Sequence, residues 1–266
     1  MTARAQVAAD QLQAPPADVA VSLRDVDLSY TQKLVLSDCS IDFKRGEVTT
    51  VIGLSGAGKS TILRLINGLR RPDRGHVFVN GLDIVSMPER RLNDLRARMG
   101  FAFQASALFD SLTVFDNVSF PLYEHTKLSR TEIRKRVDET LEAIGLSDVA
   151  ERMPAELSGG MQKRVGFARA IVNEPEIILF DEPTTGLDPI MTHVITDTIT
   201  QIQHRLRPTS IVVMHDMPSV YAISDNIAML FEGTIIEAAP AAEFRRSRNP
   251  IVQQFLEGSE VGPIPL

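Results

Sequence analysis

The segment that most constrains this chain is Gly53-Leu54-Ser55-Gly56-Ala57-Gly58-Lys59-Ser60-Thr61. Two glycines separated by four residues and followed by Lys and Ser match a phosphate-binding loop, which joins a strand to a helix. Residues 47–52 are β-branched and apolar enough to form the strand, and residues 61–66 are typical of the helix. The segment therefore predicts a nucleotide-binding α/β fold.

The residue types in this loop suit the binding of an anion. Glycine lets backbone N–H groups approach phosphate closely, and the start of a helix adds the positive end of its dipole. We expect Lys59 to contact the β and γ phosphates of ATP and the Ser60 hydroxyl to ligate Mg²⁺. The full set expected to bind ATP here is Gly53, Ser55, Gly56, Ala57, Gly58, Lys59, Ser60 and Thr61. The alternative is an ordinary glycine-rich turn with a solvated lysine.

A second segment predicts the rest of a hydrolytic site. Residues 177–180 are four apolar residues, typical of a buried parallel strand, and Asp181 and Glu182 follow them. Because ligands bind at the carboxyl ends of parallel strands, we expect Asp181 to hold Mg²⁺ and Glu182 to activate the attacking water. The alternative is a solvated acidic pair.

Composition narrows the classes of function. The net charge is −6 and the sequence pI is about 5.4, which argues against a general nucleic-acid-binding surface, so we expect no nucleic-acid partner. Cys39 is the only cysteine, so no disulfide or cysteine-based zinc cluster can form. Neither a transmembrane run nor a secretory signal is evident, and we therefore expect a cytoplasmic protein that needs a separate partner for any work in a membrane.

The chain order predicts a core with additions. Residues 1–18 resemble a disordered tail, and residues 19–50 alternate as short, mostly antiparallel strands. Residues 86–160 are interpreted as a largely helical insertion, with a long apolar-studded loop after Gln104 and a helix capped at Ser129. Residues 236–266 form an extension. Its run from Pro250 has helical spacing and could dock on its own core or on a second subunit.

At Leu157-Ser158-Gly159-Gly160 the chain resembles ATP-binding cassette (ABC) ATPases, whose signature motif these residues match. Position 161 is Met where that family most often has Gln. The motif offers a serine cap and two glycine amides at a helix start, again an anion site. The resemblance covers most of residues 20–235, and we expect residues 19–235 to form the ATPase domain. It implies a P-loop (RecA-like) core with an N-terminal antiparallel β subdomain and an inserted α-helical subdomain. It also implies a head-to-tail homodimer in which Ser158, Gly159 and Gly160 contact ATP bound to the other copy.

The resemblance assigns roles to three further residues, and a fourth is a candidate for binding adenine. Gln104 matches the glutamine that senses Mg²⁺ and the attacking water, and His215 matches the histidine that contacts the γ-phosphate. Asp188 matches an aspartate that acts across the dimer. Tyr30 is the candidate for stacking on adenine, with an ordinary strand aromatic as the alternative.

Within that family the chain is most similar to the ATPase subunits of bacterial phospholipid transporters that work with an MCE-domain protein, the Mla type. The carrying segments are residues 103–109, 112–118, 121–126, 153–161 and 249–256. This implies an integral membrane permease, MCE-domain and STAS-domain partners, and a place on the cytoplasmic face of the bacterial inner membrane. Leu108, Phe109 and Phe115 suit a groove for a permease helix, or else pack under the insertion. Two alternatives stay open: a transporter of another solute, such as an amino acid or metal complex, and a cassette ATPase without a transport role.

Overall fold

The computed structural model describes residues 14–31 and 33–265. Most of the predicted disordered tail, residues 1–13, lies outside the described residues. Residues 14–18 lead into the first strand through a turn, in which the Val19 amide donates to the Pro16 carbonyl at 3.0 Å. The Asp18 carbonyl accepts from the Arg45 amide at 2.7 Å, which joins this turn to the end of the second strand.

Two sheets organise the described chain. The strands are β1 Val19–Tyr30, β2 Lys33–Lys44, β3 Val48–Ile52, β4 Arg74–Val79, β5 Leu82–Asp83, β6 Met99–Ala102, β7 Ile177–Asp181, β8 Thr209–Val213, β9 Asn226–Phe231 and β10 Thr234–Pro240. The first sheet is antiparallel, in the order β2-β1-β4-β5, and the second has six strands in the order β10-β9-β3-β8-β7-β6. In the second sheet β10 is antiparallel to β9, and the pairs that join β9, β3, β8, β7 and β6 are parallel.

Helices cover both faces of the six-stranded sheet. They are α1 Lys59–Ile66, α2 Glu89–Arg96, α3 Val114–His125, α4 Arg130–Ala143, α5 Gly159–Ile171, α6 Pro189–Leu206, α7 Met217–Ile223, α8 Ala241–Phe244 and α9 Pro250–Glu257, with a 3-10 turn at Pro154–Glu156. Among the described residues, no helix has both the length and the apolar character needed to cross a bilayer.

The core divides into two apolar clusters because successive strand residues point to opposite faces. Ile178 and Phe180 of β7 join a cluster with α3 to α9. Ile177 and Leu179 join the other, which packs against α1, α2 and the antiparallel sheet. The predicted α/β core with an antiparallel β layer and added helices is therefore confirmed.

The segment after Gln104 differs from its prediction as one long loop, because residues 114–125 form α3. Thr113 caps this helix, its Oγ1 accepting from the Asp116 amide at 3.1 Å. Pro121 lies inside the helix, where proline is disfavoured, and for this reason the sequence pattern did not predict a helix here. The capping box at Ser129 is present, as predicted.

Two strands lie within or across the expected domain ranges. The range 86–160 contains β6, a strand of the six-stranded sheet, so the added helical layer consists of α3 and α4. The division at residue 235/236 falls inside β10. Helix α9 packs on its own chain: Val252 is fully buried in the same cluster as Phe244.

Gly100 in β6 packs closely against the backbone of α5. A Cβ atom placed there would lie 2.3 Å from the carbonyl oxygen of Ala170, which is backbone and cannot move aside. Gly100→Ala is therefore expected to lower the free energy of unfolding by about 1–3 kcal/mol, measured by urea denaturation. Gly159→Ala is the control for stability, because no atom lies within 4 Å of that Cβ position. Equal midpoints for both variants would contradict this packing.

Candidate nucleotide-binding site

The strand register brings the two predicted motifs together. Strands β3 and β7 both pair in parallel with β8, and Val51 and Asp181 are both level with Val213. The phosphate loop that follows β3 and the carboxylates that end β7 therefore meet at one edge of the sheet. The Ser60 hydroxyl donates to Asp181 Oδ1 at 2.6 Å.

The loop enters α1 through a residue in the left-handed region. Gly58, the residue before α1, has φ 105°, a conformation that a side chain would strain. This turn lets the helix begin at Lys59 directly after the loop, with its first amides facing the loop. The local geometry is that of an anion-binding helix start.

Lys59 lies between the loop and the carboxylates. Its Nζ donates to the carbonyl oxygens of Gly53 at 2.9 Å and Leu54 at 3.1 Å, and lies 3.8 Å from Glu182 Oε1. Burial lowers the pKa of Lys59, while the charges of Glu182 and Asp181 act in the opposite direction. A buried ammonium group interacts more strongly with phosphate than an exposed one, because water screens it less.

Glu182 is held by several contacts. Its side chain is 14% exposed, and Oε2 accepts from Thr185 Oγ1 at 2.9 Å. His215 Nδ1 lies 2.7 Å from the same oxygen. The Glu182 backbone has φ 49°, a left-handed conformation that costs a non-glycine residue about 1–3 kcal/mol. Such strain persists only where surrounding contacts fix the residue, and it marks Glu182 as a functional candidate.

A cleft of about 650 Å³ extends from these groups. Tyr30, Val35 and Phe255 supply its aromatic and apolar lining, and Gln104, Glu182 and His215 its polar side chains. The guanidinium of Arg70 lies 5.0 Å from the centre of the Tyr30 ring, a cation–π contact that supports this aromatic.

Sequence reasoning missed Val35, Arg70, Thr185 and Phe255. Helical spacing indicated the helix that carries Phe255, but spacing alone cannot place that helix beside the phosphate loop. Arg70 acquires its role through a contact across the fold, whereas Thr185 contacts Glu182, three residues before it in the chain.

The signature residues lie elsewhere on the described chain. Residues 158–160 and 188 do not line the cleft. Ser158 caps α5, accepting from the Met161 amide at 3.3 Å. Asp188 caps α6, accepting from the amides of Ile190 and Met191 at 2.9 and 3.0 Å. One copy of the chain therefore presents a cleft and, separately, a second helix start suited to an anion.

An apolar groove of about 340 Å³ lies beside α3. Phe103, Phe109 and Phe120 line it and are 41%, 47% and 44% exposed. The buried amide of Asn117 fixes the loop before α3, accepting from the Phe109 amide at 2.8 Å and donating to its carbonyl at 3.1 Å. Of the three residues predicted here, Phe109 faces the groove, whereas Leu108 and Phe115 pack against the core.

Comparison with known proteins identifies a family and several relatives. A family model described as "ABC transporter" matches residues 36–185. The Intermembrane phospholipid transport system ATP-binding protein MlaF of Escherichia coli K12 is 41% identical over 245 residues, 92% of this chain and 91% of that protein. The Probable ribonucleotide transport ATP-binding protein mkl of Mycobacterium leprae is 39% identical over 249 residues, 94% of this chain and 72% of that protein.

A plant protein and two solved structures are also similar. Protein TRIGALACTOSYLDIACYLGLYCEROL 3 of Arabidopsis thaliana is 42% identical over 264 residues, covering 93% of this chain and 76% of its own length. The bacterial ABC transporter cassette MJ0796, in a dimeric structure, has a TM-score of 0.77 and 31% identity over 83% of this chain and 98% of that one. A dimeric post-hydrolysis state of MJ0796 bound to ADP and Pi has the same TM-score and coverage at 32% identity.

Removing the Lys59 ammonium tests the cleft. Lys59→Met keeps the apolar stem but loses the charge, so its Kd for ATP is expected to rise about 10- to 100-fold, since charged hydrogen bonds contribute about 1.5–3 kcal/mol. Isothermal titration measures this. Lys44→Met, at an exposed position at the end of β2, is the control. An unchanged Kd for ATP in Lys59→Met would show that the nucleotide does not bind at this loop.

Proposed function

Because this chain belongs to the ABC transporter family, we propose that it is the ATP-hydrolysing subunit of a membrane transporter that moves phospholipid. The observation that carries the proposal is the 41% identity, over 92% of this chain, to a phospholipid transport ATP-binding protein. That likeness accompanies an assembled site, in which Lys59, Ser60, Asp181 and Glu182 meet at one sheet edge.

The residues at that edge fit ATP with Mg²⁺. Ser60 Oγ and Asp181 Oδ1, 2.6 Å apart, are the oxygen donors that Mg²⁺ prefers, and Gln104 lines the same cleft. Bound Mg²⁺ would neutralise charge on the phosphates. Lys59 and the loop amides would bind the β and γ phosphates, and Tyr30, supported by Arg70, would stack on adenine.

Glu182 is the proposed general base. Its Oε2 is fixed by Thr185 and His215, so the carboxylate is oriented before water arrives. His215 is more than half exposed and stands at the mouth of the cleft, where its other ring nitrogen could contact the γ-phosphate.

Two copies would complete each site. The signature residues 158–160 and Asp188 lie outside the cleft of their own chain, and the dimeric cassettes of similar fold support a homodimer. In this arrangement the α5 start of one copy contacts the ATP held by the Lys59 loop of the other. Dimer closure on ATP and reopening after hydrolysis would supply the motion.

The groove lined by Phe103, Phe109 and Phe120 is the proposed seat of a permease helix. Asn117 fixes the loop that carries Phe109, and the Phe109 ring lies 5.6 Å from the ring of Phe120 in α3, which gives a rigid apolar site. We further propose MCE-domain and STAS-domain partners and a place on the cytoplasmic face of an inner membrane. These proposals rest on the Mla-type resemblance.

A second solute class has specific support. The mycobacterial relative is named for probable ribonucleotide transport, at an identity similar to that of the phospholipid transport relative. The same ATPase site would serve either solute, because solute contacts would lie on other chains.

Substituting Glu182 tests the chemistry. Glu182→Gln keeps the size and hydrogen bonding of the side chain but removes the base, so kcat for ATP hydrolysis is expected to fall about 10²- to 10⁴-fold with ATP affinity retained. Glu174→Gln, at an exposed position, should turn over normally. A Glu182→Gln protein with wild-type turnover would exclude Glu182 as the base.

The transport proposal predicts a membrane complex that carries lipid. The chain, isolated from its native membranes in detergent, should co-purify with an integral membrane protein and with phospholipid identified by mass spectrometry. Phe120→Arg places a charge in the groove and should release the membrane protein while ATP still binds. A complex that carries ribonucleotide and no phospholipid would favour the second solute class. Isolation of nucleic acid with no membrane protein would contradict transport.

A further inference from the structure

Helix α5 carries three cations that each donate to two backbone carbonyls of a different segment. Lys163 Nζ donates to Pro183 O at 2.9 Å and Thr185 O at 2.7 Å. Arg164 Nη1 donates to the carbonyls of Ile144 and Gly145, at the end of α4. Arg169 donates to the carbonyls of Ser106 and Ala107, which follow Gln104. Of the three, Lys163 contacts the segment that carries the catalytic carboxylate.

The two carbonyls that accept from Lys163 belong to residues close to Glu182 in the chain. Pro183 is the next residue in the chain, and Thr185 donates through Oγ1 to Glu182 Oε2 at 2.9 Å. Burial lowers the pKa of Lys163 and the charge of Glu182 raises it, so the ammonium also lies within the electrostatic field of the carboxylate. Lys163 therefore fixes the loop whose shape aims Glu182.

That loop needs external support. Glu182 has φ 49°, and a left-handed non-glycine residue keeps this conformation only where its neighbours hold it. The Glu182 amide donates to Val213 O at 2.9 Å, which anchors the loop to the sheet on one side. Lys163 anchors it on the other side, to α5.

Helix α5, which carries Lys163, begins within the signature motif. Lys163 lies one turn along α5 from Gly159, so displacement of the helix start moves the ammonium with it. Gly160 packs against Met191 of α6, where a Cβ would lie 2.1 Å from the methionine Cε. The start of α5 is therefore in close contact with α6, the helix that follows the Glu182 loop.

We propose that Lys163 is a positioning residue for Glu182 of its own chain and links that carboxylate to the signature helix α5. In the proposed dimer, ATP bound to the Lys59 loop of the partner copy contacts the start of α5. Binding of that ATP would thereby set the position of Glu182 in the copy that supplies α5. Each ATP site of the dimer would then report its occupancy to the other. This inference rests on the proposed dimer of ATPase subunits.

Matched substitutions on α5 separate positioning from stability. Lys163→Met loses both carbonyl contacts, so kcat is expected to fall about 10- to 100-fold with unchanged ATP affinity, because small misplacements of a catalytic group cost this much. Lys163→Arg retains donors and should recover most of the rate. Arg164→Met loses two carbonyl contacts elsewhere on the helix and should lower the melting temperature comparably while keeping kcat. Wild-type kcat in Lys163→Met, or equal loss in Arg164→Met, would overturn the proposal.

Mixed dimers decide which site Lys163 serves. In one dimer, a single chain carries Glu182→Gln and Lys163→Met together and its partner is wild type. In the other, Glu182→Gln is on one chain and Lys163→Met on the other. We expect the first dimer to hydrolyse ATP at the same rate as a dimer that carries only Glu182→Gln on one chain. We expect the second dimer to be nearly inactive. The reverse order would show that Lys163 acts on the partner's site and would overturn the assignment.

The proposed function fails in a different way from this inference. If the wild-type protein in its complex neither dimerises nor hydrolyses ATP, the ATPase dimer itself is wrong. If wild type and the Glu182→Gln mixed dimer behave as expected while both Lys163 dimers are equally active, only the role of Lys163 is wrong.

Discussion

The 2.6 Å hydrogen bond between Ser60 and Asp181 joins two residues 121 positions apart, and the site depends on the geometry that permits it. It exists because β3 and β7 flank β8 in the same direction, which places their carboxyl ends side by side. Nothing local to either segment could produce this contact. The sheet order is therefore the constraint from which the arrangement of Lys59, Asp181 and Glu182 follows.

The sequence predicts best the features that depend on short-range chemistry. A strand, a glycine turn and a helix start occupy consecutive residues, so the phosphate loop could be read directly, as could the capping box at Ser129. The two-sheet α/β architecture followed from family resemblance and from the apolar strands. Helix α3 was missed because Pro121 and its apolar neighbours resemble a loop when only local preference is considered.

Contacts made across the fold explain the rest of what could not be predicted. Phe255, Arg70 and Lys163 look like ordinary helix or loop residues, and each matters through a partner that the topology supplies. The backbone strain at Glu182 likewise could not be predicted from the sequence, because glutamate rarely adopts φ 49°. Glu182 adopts this conformation between two anchored segments. The role of a side chain that positions another depends on its neighbours in the folded chain. Such neighbours leave little periodic pattern in the sequence.

The parallel pairing of β3 also has a consequence for how the chain is made. Strand β3, Val48–Ile52, is buried throughout and pairs with β8 and β9, which span residues 209–213 and 226–231. During translation this apolar strand emerges long before either neighbour exists, and such delayed non-local pairing is slow and prone to aggregation. The phosphate-loop strand of the growing chain therefore lacks both of its sheet neighbours until residues 209–231 have left the ribosome.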